Sequence, residues 1–306
     1  MSSGTGSTPT NRRRLLQRSA VIGAAGMAVT GLAAAPVAAQ DGAGGKLQEV
    51  LDRGKLVVGT GSTNPPWHYE DENGALVGFD IDMAKLLARA LFGLSDEQMA
   101  NPEEMSKYLE FVVEASDARI PNVTSDKVDI VCQFMTVTPA RALEVEFTIP
   151  YYREAVALLL PADSPYNSAA ELTGNGAKVA ILENSFAEEL VQRGVADAEV
   201  STYDSVANSV LALDSGRVDA TAIDLSTAQF KALQNPEKYK VSTDSWSPQT
   251  YSFAVKPGDQ RWLNWVNTTL HELMTGVDFG YYQTAYNDAF GVELAPPASG
   301  FPIEFR

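Results

Sequence analysis

Thiol and imidazole are nearly missing from this chain of 306 residues, which has one cysteine, Cys132, and two histidines, His68 and His271. A lone cysteine forms no internal disulfide. Three such side chains build no zinc cluster and leave little for Cys/His or Ser/His catalysis, so no metal and no cofactor is expected. Cys132 follows Asp129-Ile130-Val131 in an apolar run, where a thiol is a packing residue. Basic charge is scarce too: Lys plus Arg number 23 against 39 Asp plus Glu, a formal net charge of −16. Four of those bases, Arg12, Arg13, Arg14 and Arg18, lie in the first forty residues, which hold no acid, so the rest of the chain carries −20. A chain so acidic, with no basic patch, repels phosphate backbones, and nucleic-acid binding is excluded as a function class. What is present, 45% hydrophobic and 20% charged residues, suits a globular chain with room for two domains.

The basic cluster belongs to a leader. Polar residues Met1 to Thr10 precede Asn11-Arg12-Arg13-Arg14-Leu15-Leu16-Gln17, an Ala/Gly-rich stretch runs from Ala20 to Ala35, and Val37-Ala38-Ala39 follows. A basic region, an apolar region and a small-x-small cleavage site make a secretory signal, while the Gly, Thr and Pro within it argue against a retained span. Residues 1–39 are therefore expected to be cleaved. Paired arginines ahead of two leucines resemble the twin-arginine signal, which addresses folded proteins; an ordinary secretory signal with extra arginines is the alternative. No cysteine lies near the cleavage site, so a soluble periplasmic protein without a lipid anchor is expected.

Further on, Lys55 to Gly59 reads as a strand leading to a Pro65-Pro66 loop, and Asp71-Glu72-Asn73-Gly74 as a hairpin turn between His68-Tyr69 and Leu76-Val77. Asp80 is placed to cap a helix whose Ile81, Ala84, Leu87, Ala88 and Leu91 share one face. Residues 95–107 are polar and acidic and read as a surface insertion. More informative is an internal echo: Ser125-Asp126-Lys127-Val128-Asp129 and Ser215-Gly216-Arg217-Val218-Asp219 repeat a Ser-x-basic-Val-Asp pattern ninety positions apart. Each copy closes a helical segment and opens a strand. In the second, Asp204 is the expected N-cap and Gly216 the stop. Alternating helices and strands imply parallel sheets, whose ligands sit beyond the carboxyl ends of the strands. Five residues past each aspartate stand Phe134 and Asp224, so two lobes of similar build would present both to one cleft.

Gly78-Phe79-Asp80-Ile81-Asp82-Met83, followed by Leu87-Ala88 and Leu91, resembles the signature of the family 3 extracellular solute-binding proteins, receptors of polar amino-acid ABC importers. The resemblance extends through Met135-Thr136-Val137-Thr138-Pro139-Ala140-Arg141, Phe147-Thr148-Ile149-Pro150-Tyr151-Tyr152 and Tyr251-Ser252-Phe253-Ala254-Val255, covering about Lys46 to Gly291. It implies an α/β chain in the two-lobe periplasmic binding protein fold of type II: two parallel-sheet lobes joined by two crossover strands and closing on a ligand by hinge motion. Lobe 1 would take residues 46–153 plus 254–291, lobe 2 residues 154–253, and a C-terminal tail residues 292–306.

The resemblance also implies a site. A buried amino-acid zwitterion needs both its charges paired, because an unpaired buried charge is costly. Arg141 would grip the α-carboxylate, helped by Thr136, since a planar guanidinium can donate two parallel bonds. Asp224 would pair with the ammonium, and Phe134 would offer it a carbonyl. Gln133 precedes that donor, with an amide that could reach outward. Ser185 and Phe186 hold loop positions whose backbone N–H groups meet the carboxylate. Asn64 and Ser116 align with side chains that sandwich the ligand's apolar part, and Trp67 with an aromatic that mostly packs. Arg119 resembles an arginine of some acidic-amino-acid receptors, a lobe-edge role being its alternative. The rival readings of Arg141 and Asp224 are a solvated surface charge and a helix cap.

Several positions depart from the pattern. Asn64 and Ser116 are polar, Gly61 stands where several relatives have an acid that reads a basic side chain, and Phe134 and Phe186 replace smaller residues. Lysine and arginine should then bind poorly and a neutral or acidic polar amino acid best, unless the two phenylalanines frame an apolar or methylated ligand. The expected function is that of a monomeric receptor handing a free amino acid to an ABC permease in the inner membrane. A cyclohexadienyl dehydratase-like enzyme, with Asp117 or Glu183 as general acid, and a ligand-sensing module are the alternatives. Replacing Arg12 and Arg13 together with lysine is expected to abolish export, measured as periplasmic yield; undiminished yield would assign export to the general secretory route.

Overall fold

The computed structural model describes residues 45–183 and 187–299; the leader at 1–39, Ser185, Phe186 and the end of the tail lie outside the described residues. Ten strands form one sheet. Its first half places Leu56–Thr60 between Leu109–Val113 and Ile130–Thr136, all parallel. The second half places Lys178–Leu182 between Glu199–Tyr203 and Ala220–Asp224, again parallel. Both halves thus set their first strand between the second and the third. Two ten-residue strands, Tyr152–Pro161 and Trp246–Val255, pair antiparallel with each other, the former also with Ala220–Asp224 and the latter with Ile130–Thr136. The two parallel halves expected from the sequence are thus present, and the crossover strands, each bonding to a strand on either side, join them into one mixed sheet. Leu56–Thr60 and Ile130–Thr136 are buried almost throughout, as suits strands covered on both faces.

Helices cover those faces and divide the apolar interior. Phe79–Phe92, Gln260–Thr275 and Phe279–Phe290 enclose one core with Trp67, Tyr151 and Phe253. Leu158, Leu160, Val179 and Val191 belong to another, in the second half. The 95–107 stretch folds into two short helices, Asp96–Ala100 and Pro102–Tyr108, anchored by buried Met105. The cap of Val206–Asp214 is Ser205, whose side chain accepts from the Asn208 N–H; Asp204 instead accepts from the Asn208 amide. Asp204 lies one residue too far out for the backbone bond.

The internal echo is a strand-locking device. Asp129 takes the N–H of Val57 on its carboxylate (2.8 Å) and returns its own N–H to the Val57 carbonyl (2.9 Å). Asp219 does the same with Lys178, at 2.8 Å in both directions. Upstream, Ser125 and Ser215 bond back to the carbonyls four residues earlier, Pro121 and Leu211. Asp126 (φ 61°) and Gly216 (φ 66°) then take the left-handed backbone that ends each helix. The copies differ in setting: Asp129 is 2% exposed and paired with Arg53, whereas Asp219 is exposed. Asp129→Ala is expected to cost about 3 kcal/mol, from a charge-assisted network lost in the interior, and Asp219→Ala about 1 kcal/mol. Urea unfolding of the two variants checks this, and equal costs would overturn the role of burial.

Candidate functional site

A cavity of about 350 Å3 opens where the two halves face each other. The first half contributes Thr63, Asn64, Trp67 and Phe134; the second contributes Ile181, Ile223, Asp224, Thr227 and Lys231. Phe134 and Asp224, the corresponding positions of the echo, do meet there. The lining is largely apolar, and Asp224 and Lys231 are its charged side chains.

Behind the first-half wall lies a buried carboxylate. Asp80 does not cap its helix; that helix starts from Gly78, and the Asp80 side chain turns inward. Its oxygens accept from His68 Nδ1 (2.8 Å), from the Phe134 backbone N–H (3.0 Å) and from the Tyr151 hydroxyl. His68 and Asp80 are wholly buried. With Nδ1 donating to Asp80, Nε2 can accept from the Asn64 amide at 3.2 Å, which ties the cavity wall to this network. The His68 ring stacks on Phe134 at 4.6 Å and 17°. Phe134 itself has φ 25°, a conformation that costs energy for a residue with a side chain, held by that stack and by the bond to Asp80.

The opposite wall centres on two acids. Asp224 ends Ala220–Asp224 at the start of the helix Leu225–Gln234, yet its side chain caps no N–H. One oxygen accepts from the Tyr251 hydroxyl at 2.8 Å, and burial pushes the carboxyl's pKa up. Glu154, on the first crossover strand, accepts from the hydroxyl and N–H of Ser226 and from the Ala155 N–H. Burial, then the neighbouring Asp224 carboxylate, raises it to about 7. Trp67 Nε1 donates to Ser226 Oγ at 3.0 Å, so a chain of hydrogen bonds runs from the first half through Ser226 to Glu154. Trp67 packs, as expected, with rings on several sides, and also lines the cavity.

Other anticipated residues sit outside this cavity. Arg141 Nη1 donates to the Thr136 carbonyl (2.9 Å), and the Thr136 hydroxyl faces Gln249. Arg119 is no lobe-edge charge: only 7% exposed, it donates to the carbonyls of Ser116 (2.7 Å) and Gln133 (3.0 Å). Burial and the neighbouring Arg141 lower its pKa to about 10. Among the described residues neither arginine forms an ion pair. Ser116 is exposed and serves through its carbonyl. Gln133 is 2% exposed, with its amide packed beside Gly61 rather than reaching outward. A Cβ on Gly61 would lie 2.6 Å from the His68 ring and 2.9 Å from the Gln133 amide. Sequence reading missed Glu154, Ser226 and Lys231; the 224, 227, 231 spacing along one helix face was the available signal for Lys231.

Comparison with known proteins agrees with this geometry. Residues 56–291 match the sequence profile of the bacterial extracellular solute-binding proteins, family 3. The ABC transporter glutamine-binding protein GlnH of Bacillus subtilis (strain 168) is 28% identical over 247 residues, 78% of this chain and 82% of that protein. ABC transporter arginine-binding protein 1 of Escherichia coli (strain K12) is 27% identical over 71% of this chain and 84% of its own length. The solved structure of the ancestral amino-acid-binding protein AncCDT-1, described as a precursor of cyclohexadienyl dehydratase, superposes with a TM-score of 0.65 at 31% identity, over 80% of this chain and all of that one. With more than three quarters of its length inside that profile and its strand-end cavity between paired halves, the chain belongs to the bacterial extracellular solute-binding proteins of family 3.

Proposed function

We propose that this protein is the periplasmic receptor of an amino-acid ABC importer, enclosing a free polar amino acid between its halves and presenting the closed form to the permease. The observation that carries this is a set of charges without ion pairs: Asp224 lines the cavity, and Arg141 and Arg119 lie near the end of Ile130–Thr136, their guanidiniums bonded among the described residues only to backbone carbonyls. A zwitterion complements it, its ammonium at Asp224 and the Phe134 carbonyl, its carboxylate at Arg141 and Thr136. Ser185 and Phe186, which follow Lys178–Leu182 in sequence and lie outside the described residues, remain the proposed source of backbone N–H groups for that carboxylate. Closure is a rigid-body movement about the two crossover strands, selected by a ligand that touches both sides. A monomer suffices, since both walls come from one chain.

The receptor reading is preferred to a dehydratase on the state of the acids. Asp117 and Glu183 are exposed and do not line the cavity, and Glu154 has its oxygens occupied by Ser226 and Ala155. General acid catalysis needs a proton within reach of the leaving group. Product formation from prephenate or arogenate would reverse this preference. A signalling partner would use the same closure and is distinguished by whether the permease needs the receptor for uptake.

Two predictions follow from these assignments. Asp224→Ala is expected to weaken amino-acid binding about 30- to 4000-fold, and Arg141→Ala comparably, with normal folding because the pairs form only with ligand; calorimetry showing unchanged affinity removes that residue from the site. Glu154 gives a pH signature in the ligand-free protein. The folded state keeps its proton up to about pH 7, while the unfolded chain releases it near 4.5, so folding takes up protons within that window and stability falls as pH rises through it. Glu154→Gln should flatten that decline between about pH 5 and about pH 8, read from urea midpoints. An equal slope in the variant would clear Glu154 of the effect.

A further inference from the structure

Lys231 stands on the cavity wall without a partner. It lines the cavity and is half-buried, yet among the described residues it forms no hydrogen bond and no ion pair. Burial lowers its pKa. The carboxylate that most favours its charged form, Asp214, is already held by Lys238 at 2.8 Å and by Tyr239 at 2.6 Å. A partly desolvated ammonium on the wall of a cavity gains from an anion that joins it. Asp224, Thr227 and Lys231 follow one face of the helix, so the cavity's two charges are separated by about seven residues of rise, roughly 10 Å between backbones. One end of a ligand can meet Asp224 while its far end meets Lys231.

The rest of the wall points the same way. The His68 ring packed against Gly61 excludes an anion for a basic ligand: a Cβ at 61 would lie 2.6 to 2.8 Å from that ring, so a carboxylate side chain at this position has no room. The lining supplies one carboxylate, which the ligand's ammonium uses, and one cation left over. We infer that the preferred ligand is an amino acid with an anionic side chain, and that Lys231 receives that anion. The inference rests on the receptor reading above and goes beyond it by fixing the charge of the side chain.

Calorimetry of the mature protein with glutamate, aspartate and glutamine tests it, alongside Lys231→Met and Lys231→Arg. Wild-type protein should bind glutamate or aspartate about tenfold or more tightly than glutamine. Lys231→Met should lose about 10- to 100-fold for the acidic ligand and under about threefold for glutamine, with Lys231→Arg retaining most of the preference. Equal losses for glutamate and glutamine would make Lys231 a partner of the α-carboxylate and overturn the inference. So would wild-type protein that does not prefer the acidic ligand, a result that stands even if the Met variant fails to fold. In those cases the receptor reading survives, because amino acids still bind. Absence of binding by any amino acid to wild-type protein overturns both.

Discussion

The candidate site depends on a single buried carboxylate. Asp80 gathers an imidazole N–H, a backbone N–H and a phenolic hydroxyl in a place with no solvent, and each of those donors belongs to a different segment of the first half. Removing any one would leave a buried charge short of a partner, which is why the three segments hold together. The bond to Phe134 turns the end of Ile130–Thr136 into an unusual backbone conformation, and the bond to His68 places an imidazole under Phe134 and beside Asn64. The shape of the cavity's first-half wall is thus set from behind, by groups a ligand never touches.

The second wall depends on the crossover strands in a comparable way. Glu154 and Tyr251 lie on those strands, and both act on the ligand side of the second half: Glu154 holds Ser226, and Tyr251 holds Asp224. The strands that any opening motion must bend therefore also orient the groups that would bind. Burial is the larger cause of the raised Glu154 pKa and the Asp224 charge the second, so an ammonium arriving at Asp224 would relieve the second alone and, in the proposed receptor, couple ligand binding to proton release.

Much of this was legible in the sequence because repetition marks function and fold together. The Ser-x-basic-Val-Asp echo located both strand-locking aspartates, and a count of five residues from each found Phe134 and Asp224, which meet at the cavity. The hairpin at Asp71 to Gly74 and the buried Cys132 also came from local chemistry. What failed were side chains whose direction is set by distant segments. Asp80 looked like a helix cap because caps are local, whereas its partners are 12, 54 and 71 residues away. Gln133 looked free to reach outward until His68 and Gly61 were seen to enclose it. Lys231 carries only the 224, 227, 231 spacing along its helix; the cavity is what reveals that its charge has no ion-pair partner among the described residues.

A net charge of −16 argues, at first sight, against an anionic ligand. Screening decides otherwise. At physiological ionic strength the Debye length is about 8 Å, so the surface acids of a protein this size scarcely reach a ligand within the cleft. Inside, the local set governs: Lys231 forms no ion pair among the described residues, while Asp224 lies beside Glu154, which holds a proton up to about pH 7. The cavity lining, with one carboxylate and one ammonium, is therefore locally balanced where the whole chain is strongly acidic. An acidic exterior around a cavity whose one ammonium forms no ion pair among the described residues also disfavours nonspecific capture of anions outside it, so that an anion is held only where that ammonium stands.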